Sequence, residues 1–158
     1  MIHSLHTTAP RGFTLLLAVL IGSVLLALGF AIFNIVSKDI ILSSAGRESQ
    51  FAFYAADSGV ECALYWDYQA DAFSTESALT QVTCGEENAT LTRAFDALTG
   101  EYRTTFSFSL GSALTDACTA VEVTKTDLPT QTVIVASGYN TCVITNPRRI
   151  ERAIRVQY

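Results

Sequence analysis

Histidine is nearly absent from this 158-residue chain, occurring only at His3 and His6. Beyond Gly12 there is none, so the rest of the chain cannot assemble a Ser-His-Asp or Cys-His nucleophilic site or a histidine-ligated metal. No C-x-x-C pair occurs, which disfavours zinc knuckles and thioredoxin-like redox sites. No G-x-x-x-x-G-K phosphate loop is present. Positive charge is scarce: 10 Lys and Arg stand against 15 Asp and Glu, a net charge of −5. That balance argues against a dedicated nucleic-acid binder, which shows a basic footprint. Long apolar runs number one, which excludes a multi-span transporter. These absences lead to the expectation of no catalytic residue, no metal site, no cofactor and no nucleic-acid partner.

What is present begins with that run. Phe13–Val36 is 24 residues long, carries no charge and holds 19 apolar residues. At ~1.5 Å per residue it reaches ~36 Å, enough to cross a ~30 Å hydrocarbon core with some tilt. Gly22 and Gly29 interrupt it, as membrane helices tolerate. The rest of the chain is roughly 120 residues, about one domain's worth. A secretory signal would place small residues at a cleavage site after the apolar stretch. Here Leu28-Gly29-Phe30-Ala31 is a poor site, and the punctuation lies earlier, at Gly12-Phe13. Arg11 lies before the run, while Lys38 behind it is offset by Asp39. This bias favours a leader in the cytoplasm and a C-terminal domain outside.

The segment Arg11-Gly12-Phe13-Thr14-Leu15-Leu16-Leu17 resembles the prepilin-peptidase site of type IV pilins and pseudopilins. In that family a short leader ends in glycine, the mature chain begins with phenylalanine, and the apolar helix follows at once. The resemblance implies a leader over residues 1–12, cleavage between Gly12 and Phe13, and N-methylation of Phe13. It departs from the family at the fifth mature position, where a glutamate is usual and Leu17 stands here. Members lacking that glutamate are associated with tip or initiation roles, so the resemblance points there.

After Lys38-Asp39 the pattern changes with no turn signal, and no proline appears before Pro129. Ala45, Ala52, Ala56, Val60, Ala63 and Leu64 recur at helical spacing, with Arg47, Gln50, Tyr54, Asp57 and Glu61 on the other side. This predicts an amphipathic helix over 37–68 continuing the span. The small residues Ala52, Ala56, Gly59 and Ala63 suit close packing of a sheet or a neighbouring helix. Asp57 and Glu61 sit on adjacent turns, but the rest of their face is polar too. A solvated helix face is the simpler reading than a paired-carboxylate active site. The stretch Phe53–Leu64 is similar to the Ala-rich, acidic-Gly helix segment of PilX-type minor pilins.

From Asp67 the helix pattern fades. Residues 67–100 read as loop with short elements at Leu79–Cys84 and Thr90–Phe95. Tyr102, Thr104, Phe106, Phe108 and Leu110 then alternate with polar residues, which marks a strand. Ala120–Lys125 and Gln131–Ser137 form a hairpin about Asp127-Leu128-Pro129-Thr130. Arg152–Tyr158 alternates again. The expected fold is α+β: a long N-terminal helix, membrane span plus amphipathic half, on a C-terminal antiparallel sheet over 69–158. Charge is uneven. Residues 57–127 hold twelve acids and three bases, and residues 146–158 hold four arginines and one acid. Arg148, Arg149, Arg152 and Arg155 therefore read either as a basic edge for an acidic neighbour or as decoration that keeps an edge strand from aggregating.

Cys62, Cys84, Cys118 and Cys142 are an even set in a domain expected outside the cytoplasm, which favours disulfides. Four cysteines allow three connectivities. Cys118 and Cys142 flank the hairpin nearly symmetrically about Thr130, which favours their pairing and leaves Cys62 with Cys84.

Together these readings predict a non-enzymatic structural subunit: a minor pilin or pseudopilin of a type IV pilus or related filament. The partners so implied are a prepilin peptidase, other pilin or minor pilin subunits, and the membrane. The implied location is the bacterial inner membrane, then the filament. Adhesion, motility, secretion and DNA uptake stay open as its service. The competing class is a bitopic membrane-anchored binding module that never enters a filament, and a weaker third is a tethered hydrolase using acidic residues.

Overall fold

The computed structural model describes residues 11–158, apart from 75, 78, 114, 128 and 129. One helix, α1, runs over Arg11–Ala70. Seven strands follow: β1 (Gln81–Cys84), β2 (Glu87–Thr90), β3 (Thr92–Asp96), β4 (Glu101–Ser109), β5 (Cys118–Asp127), β6 (Thr130–Tyr139) and β7 (Glu151–Gln157). β1 and β2 form a two-stranded hairpin, and β3 to β7 form a five-stranded antiparallel sheet in chain order. The protein is therefore α+β. It divides into two units, Met1–Ser44 and Ala45–Tyr158. The amphipathic part of α1 from Ala45 onward thus belongs with the sheet, and the unit boundary falls inside the helix.

Alternation decides which sheet face is covered. Thr104, Phe106 and Phe108 of β4, Thr119, Val121 and Val123 of β5, and Thr132, Ile134 and Ala136 of β6 are buried. They line one face, because period-two residues share a side and the register keeps them opposite one another. The helix meets this face through Ala52, Ala55, Ala56, Val60 and Ala63, all buried. Small residues let the two backbones approach. A Cβ added to Gly59 would lie 3.0 Å from Val121 Cγ2 and 3.1 Å from the Ala136 Cβ. A Cβ on Gly138 would overlap the Ala52 carbonyl oxygen and the Ala56 amide nitrogen. Phe73 caps this core, stacked on Phe106 with ring centroids 5.8 Å apart.

The helix runs two residues beyond the expected end at Tyr68. It stops at Asp71, which takes a left-handed conformation at φ 43°, while the Asp71 and Ala72 amides donate back to the Asp67 and Trp66 carbonyls. No glycine was there to mark this end; aspartate tolerates the left-handed region better than most residues. β2 falls in the stretch expected as loop, and Glu87-Asn88-Ala89-Thr90 has low strand propensity. Its pairing with β1 and the burial of Ala89 make it a strand, supported by Val82 and Cys84 beside it. β4 ends at Ser109, so Leu110, the last residue of the expected alternation, is instead an exposed loop residue.

Candidate functional site

The first candidate site is the helical segment itself. From Phe13 through Leu42 its large apolar side chains are exposed, and this part of α1 is long and apolar enough to cross a membrane. Phe13 is 65% exposed and Leu17 45%. No ionisable group therefore stands at position 17 within the apolar surface. The polar side chains in the segment turn inward on their own helix: Ser23 Oγ donates to the Leu20 carbonyl and Asn34 Nδ2 to the Phe30 carbonyl. Such local bonds satisfy polar groups where water is scarce. The helix includes Gly12. Of the expected leader over residues 1–12, residues 1–10 lie outside the described residues.

The second candidate set is the cysteines. Cys62 and Cys84 form a disulfide, with Cα atoms 5.7 Å apart, joining α1 to β1. Trp66, one helical turn on, donates its indole N–H to the Thr83 carbonyl at 2.9 Å and reinforces the same junction. Cys118 and Cys142, expected to form a second bridge, stand as two thiols. The structure does bring them together. Both line a groove of about 300 Å³ with Glu87, Ser109, Tyr139 and Arg149. Cys142 Sγ lies 3.8 Å from Ser109 Oγ, and Ser109 is the cross-strand partner of Cys118. Burial, and then the adjacent Cys142, push the Cys118 thiol up to about 12. A thiol so shifted is held protonated and is a slow nucleophile.

The third set is charged. Asp57 and Glu61 are exposed on the side of the helix away from the sheet, as a solvated face requires. The four arginines do not share one surface. The Arg149 guanidinium stacks over the Tyr139 ring at 3.6 Å from its centroid, and its Nε donates to the Thr141 carbonyl. Arg152 Nε donates to Ser49 Oγ on the helix at 2.8 Å. Arg148 and Arg155 are more open. The basic tail is thus partly internal structure, because β7 has one face against α1 and alternate side chains must point there.

Three polar knots were not anticipated. At the end of α1, Lys125 Nζ pairs with Asp67 at 2.7 Å and Asp71 at 3.0 Å, while the Tyr158 hydroxyl donates to Asp67 Oδ2 at 2.6 Å. Burial opposes the charge on Lys125, but its bonds to the two aspartates outweigh this and raise its pKa. The bond from Lys125 lowers that of Asp71. Burial and then Asp67 push the Tyr158 phenol up. Asn140 donates to Glu48 and to the Arg148 carbonyl and accepts from the Ile150 amide, holding the 140–150 loop on the helix. Arg93 donates to the carbonyls of Ala72, Ser77 and Leu79. The only sequence signal for any of these was a charged or amide residue beside an apolar alternation. Each knot includes at least one partner more than a dozen residues away.

Among the described residues no group of three metal-ligating side chains converges. Comparison with protein-family models, with curated proteins and with solved structures finds no match to this chain.

Proposed function

We propose that this chain is a minor-pilin-like structural subunit, anchored by its N-terminal helix and assembled through it into a type IV pilus or a related filament. The observation that carries the reading is α1. A single helix supplies an exposed apolar segment that begins at Phe13 and, from Ala45 on, a small-residue face packed on the five-stranded sheet, with a disulfide tying it to the β1–β2 hairpin. An apolar surface of that length must be covered by lipid or by other apolar helices. Assembly would exchange one cover for the other. The Gly12-Phe13 junction at the start of the segment fits processing by a prepilin peptidase. The function is then construction rather than catalysis, with the domain facing outward from the bacterial inner membrane.

Intact-mass analysis of protein extracted from membranes tests this. Loss of residues 1–12 and a methyl group on Phe13 are expected, and replacing Gly12 with a bulky residue should retain the leader. A full-length chain in a host with active prepilin peptidase would overturn the reading and leave the bitopic binding module in its place.

A further inference from the structure

β7 is an edge strand: among the described residues it pairs with β6 on one side and with no strand on the other. The register fixes which backbone groups are free. Thr132 and Tyr158 exchange both of their main-chain hydrogen bonds, at 2.8 and 3.0 Å. In an antiparallel ladder such pairs alternate with pairs that make none. Counting back along β7, Val156, Ile154 and Arg152 face β6 at Ile134, Ala136 and Gly138. Glu151, Ala153, Arg155 and Gln157 therefore turn their N–H and C=O groups to the open side. All four are exposed, and the strand contains neither proline nor glycine.

The charges beside this edge are unspent. Among the described residues none of Arg148, Arg152 and Arg155 takes part in an ion pair. Arg155 stands on the outer sheet face, and Arg148 lies in the loop leading into the strand. Two copies set edge to edge would gather three arginines and one glutamate from each. The other edge strand, β3, is shorter, with five residues against seven.

We infer that the β7 edge is a docking site for an extended acidic segment of another polypeptide, which adds to the sheet as a sixth strand. The free ladder supplies main-chain hydrogen bonds, and alternate side chains supply selection, as in other strand-addition complexes. A carboxylate on the outer face of the added strand meets Arg155, and one near its end meets Arg148. The inference does not depend on filament assembly and holds equally for a membrane-anchored binding module.

The test uses the full chain in detergent micelles and a seven-residue peptide alternating glutamate and valine. Amide exchange is followed residue by residue by NMR. Saturating peptide should slow exchange at Glu151, Ala153, Arg155 and Gln157 by roughly tenfold or more, and leave the amides of Arg152, Ile154 and Val156 as they are. Ala153→Pro should abolish this. It deletes one outward N–H without touching the β6–β7 bonds, and edge strands accept proline on that side. An unchanged melting temperature would show that the variant is folded. Arg155→Glu should weaken binding about tenfold and remove most of its salt dependence, because the edge then carries two arginines and two glutamates. Three results would overturn the inference: no slowing at the four residues, equal slowing by a lysine–valine peptide, or slowing that grows with protein concentration alone. The last would mean that a second copy of this chain occupies the edge.

Discussion

Gly138 of β6 lies against the backbone of Ala52, so close that no side-chain atom fits between strand and helix. This contact sets how near α1 comes to the sheet. Gly138 has no left-handed backbone to excuse it, so the requirement is steric. Gly138→Ala should cost about 3 kcal/mol or more, the upper end for overpacking, because the opposing atoms are backbone and cannot rotate away. Gly59→Ala should cost less, since its neighbours are side chains of Thr119, Val121 and Ala136. Denaturant unfolding of both variants checks the order, and equal losses would contradict it.

Lys125 is the counter-charge for a buried carboxylate. Lys125→Met should destabilise the domain by about 3 kcal/mol, because it leaves the Asp67 carboxylate desolvated without its counter-charge, held only by the Tyr158 hydroxyl. Lys125→Met combined with Asp67→Leu should recover part of that loss, which a thermal-unfolding cycle would show.

The same cluster sets a pH dependence with two ends. The folded pKa of Asp71 is lowered, so its contribution is present above its unfolded value near about 4 and is lost as pH falls through the folded value. The folded pKa of Lys125 is raised, so its contribution is present below its unfolded value near about 10 and is lost as pH rises through the folded one. Stability measured from pH 2 to 8 should fall at the acid end, and Asp71→Asn should flatten part of that fall.

Cysteine mapping without reductant should return Cys62–Cys84. Removing that bridge, which closes a separation of 22 residues, should cost ~3 kcal/mol. In chain recovered from an oxidising compartment, Cys118 and Cys142 should also be linked to each other. In the reduced, folded chain Cys118 should alkylate slowly at neutral pH, since its thiol is pushed up to about 12. Rapid alkylation of Cys118, or a Cys84–Cys118 link, would contradict the placement of β5 beside the 140–150 loop.

On the proposed processing and assembly, Leu17 carries a prediction about position in the filament. A glutamate at the fifth mature position would offer a neighbour's N-terminal amine a partner inside an apolar core; leucine offers none, and an unpaired buried charge costs several kcal/mol. Immunogold labelling should find this protein rarely and at filament ends, and its deletion should reduce filament number more than length. Labelling along the shaft would refute a tip role.

Much of this protein is legible in its sequence because the signals are local and periodic. The uncharged run from Phe13 to Val36, the helical spacing of Ala52, Ala56, Val60 and Ala63, and the alternation in Tyr102–Leu110 and Arg152–Tyr158 each depend on residues a few positions apart. They determined the long helix, its packing face and the antiparallel sheet. Tertiary structure alone decided what depends on residues far apart in the chain. It made a strand of Glu87–Thr90 by pairing it with Gln81–Cys84. It turned Arg152 to Ser49 and Arg149 onto Tyr139, where composition suggested four equivalent surface charges. It drew Lys125, Asp67, Asp71 and Tyr158 into one cluster, and it left Glu151, Ala153, Arg155 and Gln157 facing an open edge. The reason is physical: hydrophobic period fixes which side of an element is buried, whereas the partner of a polar group is fixed only when distant elements meet.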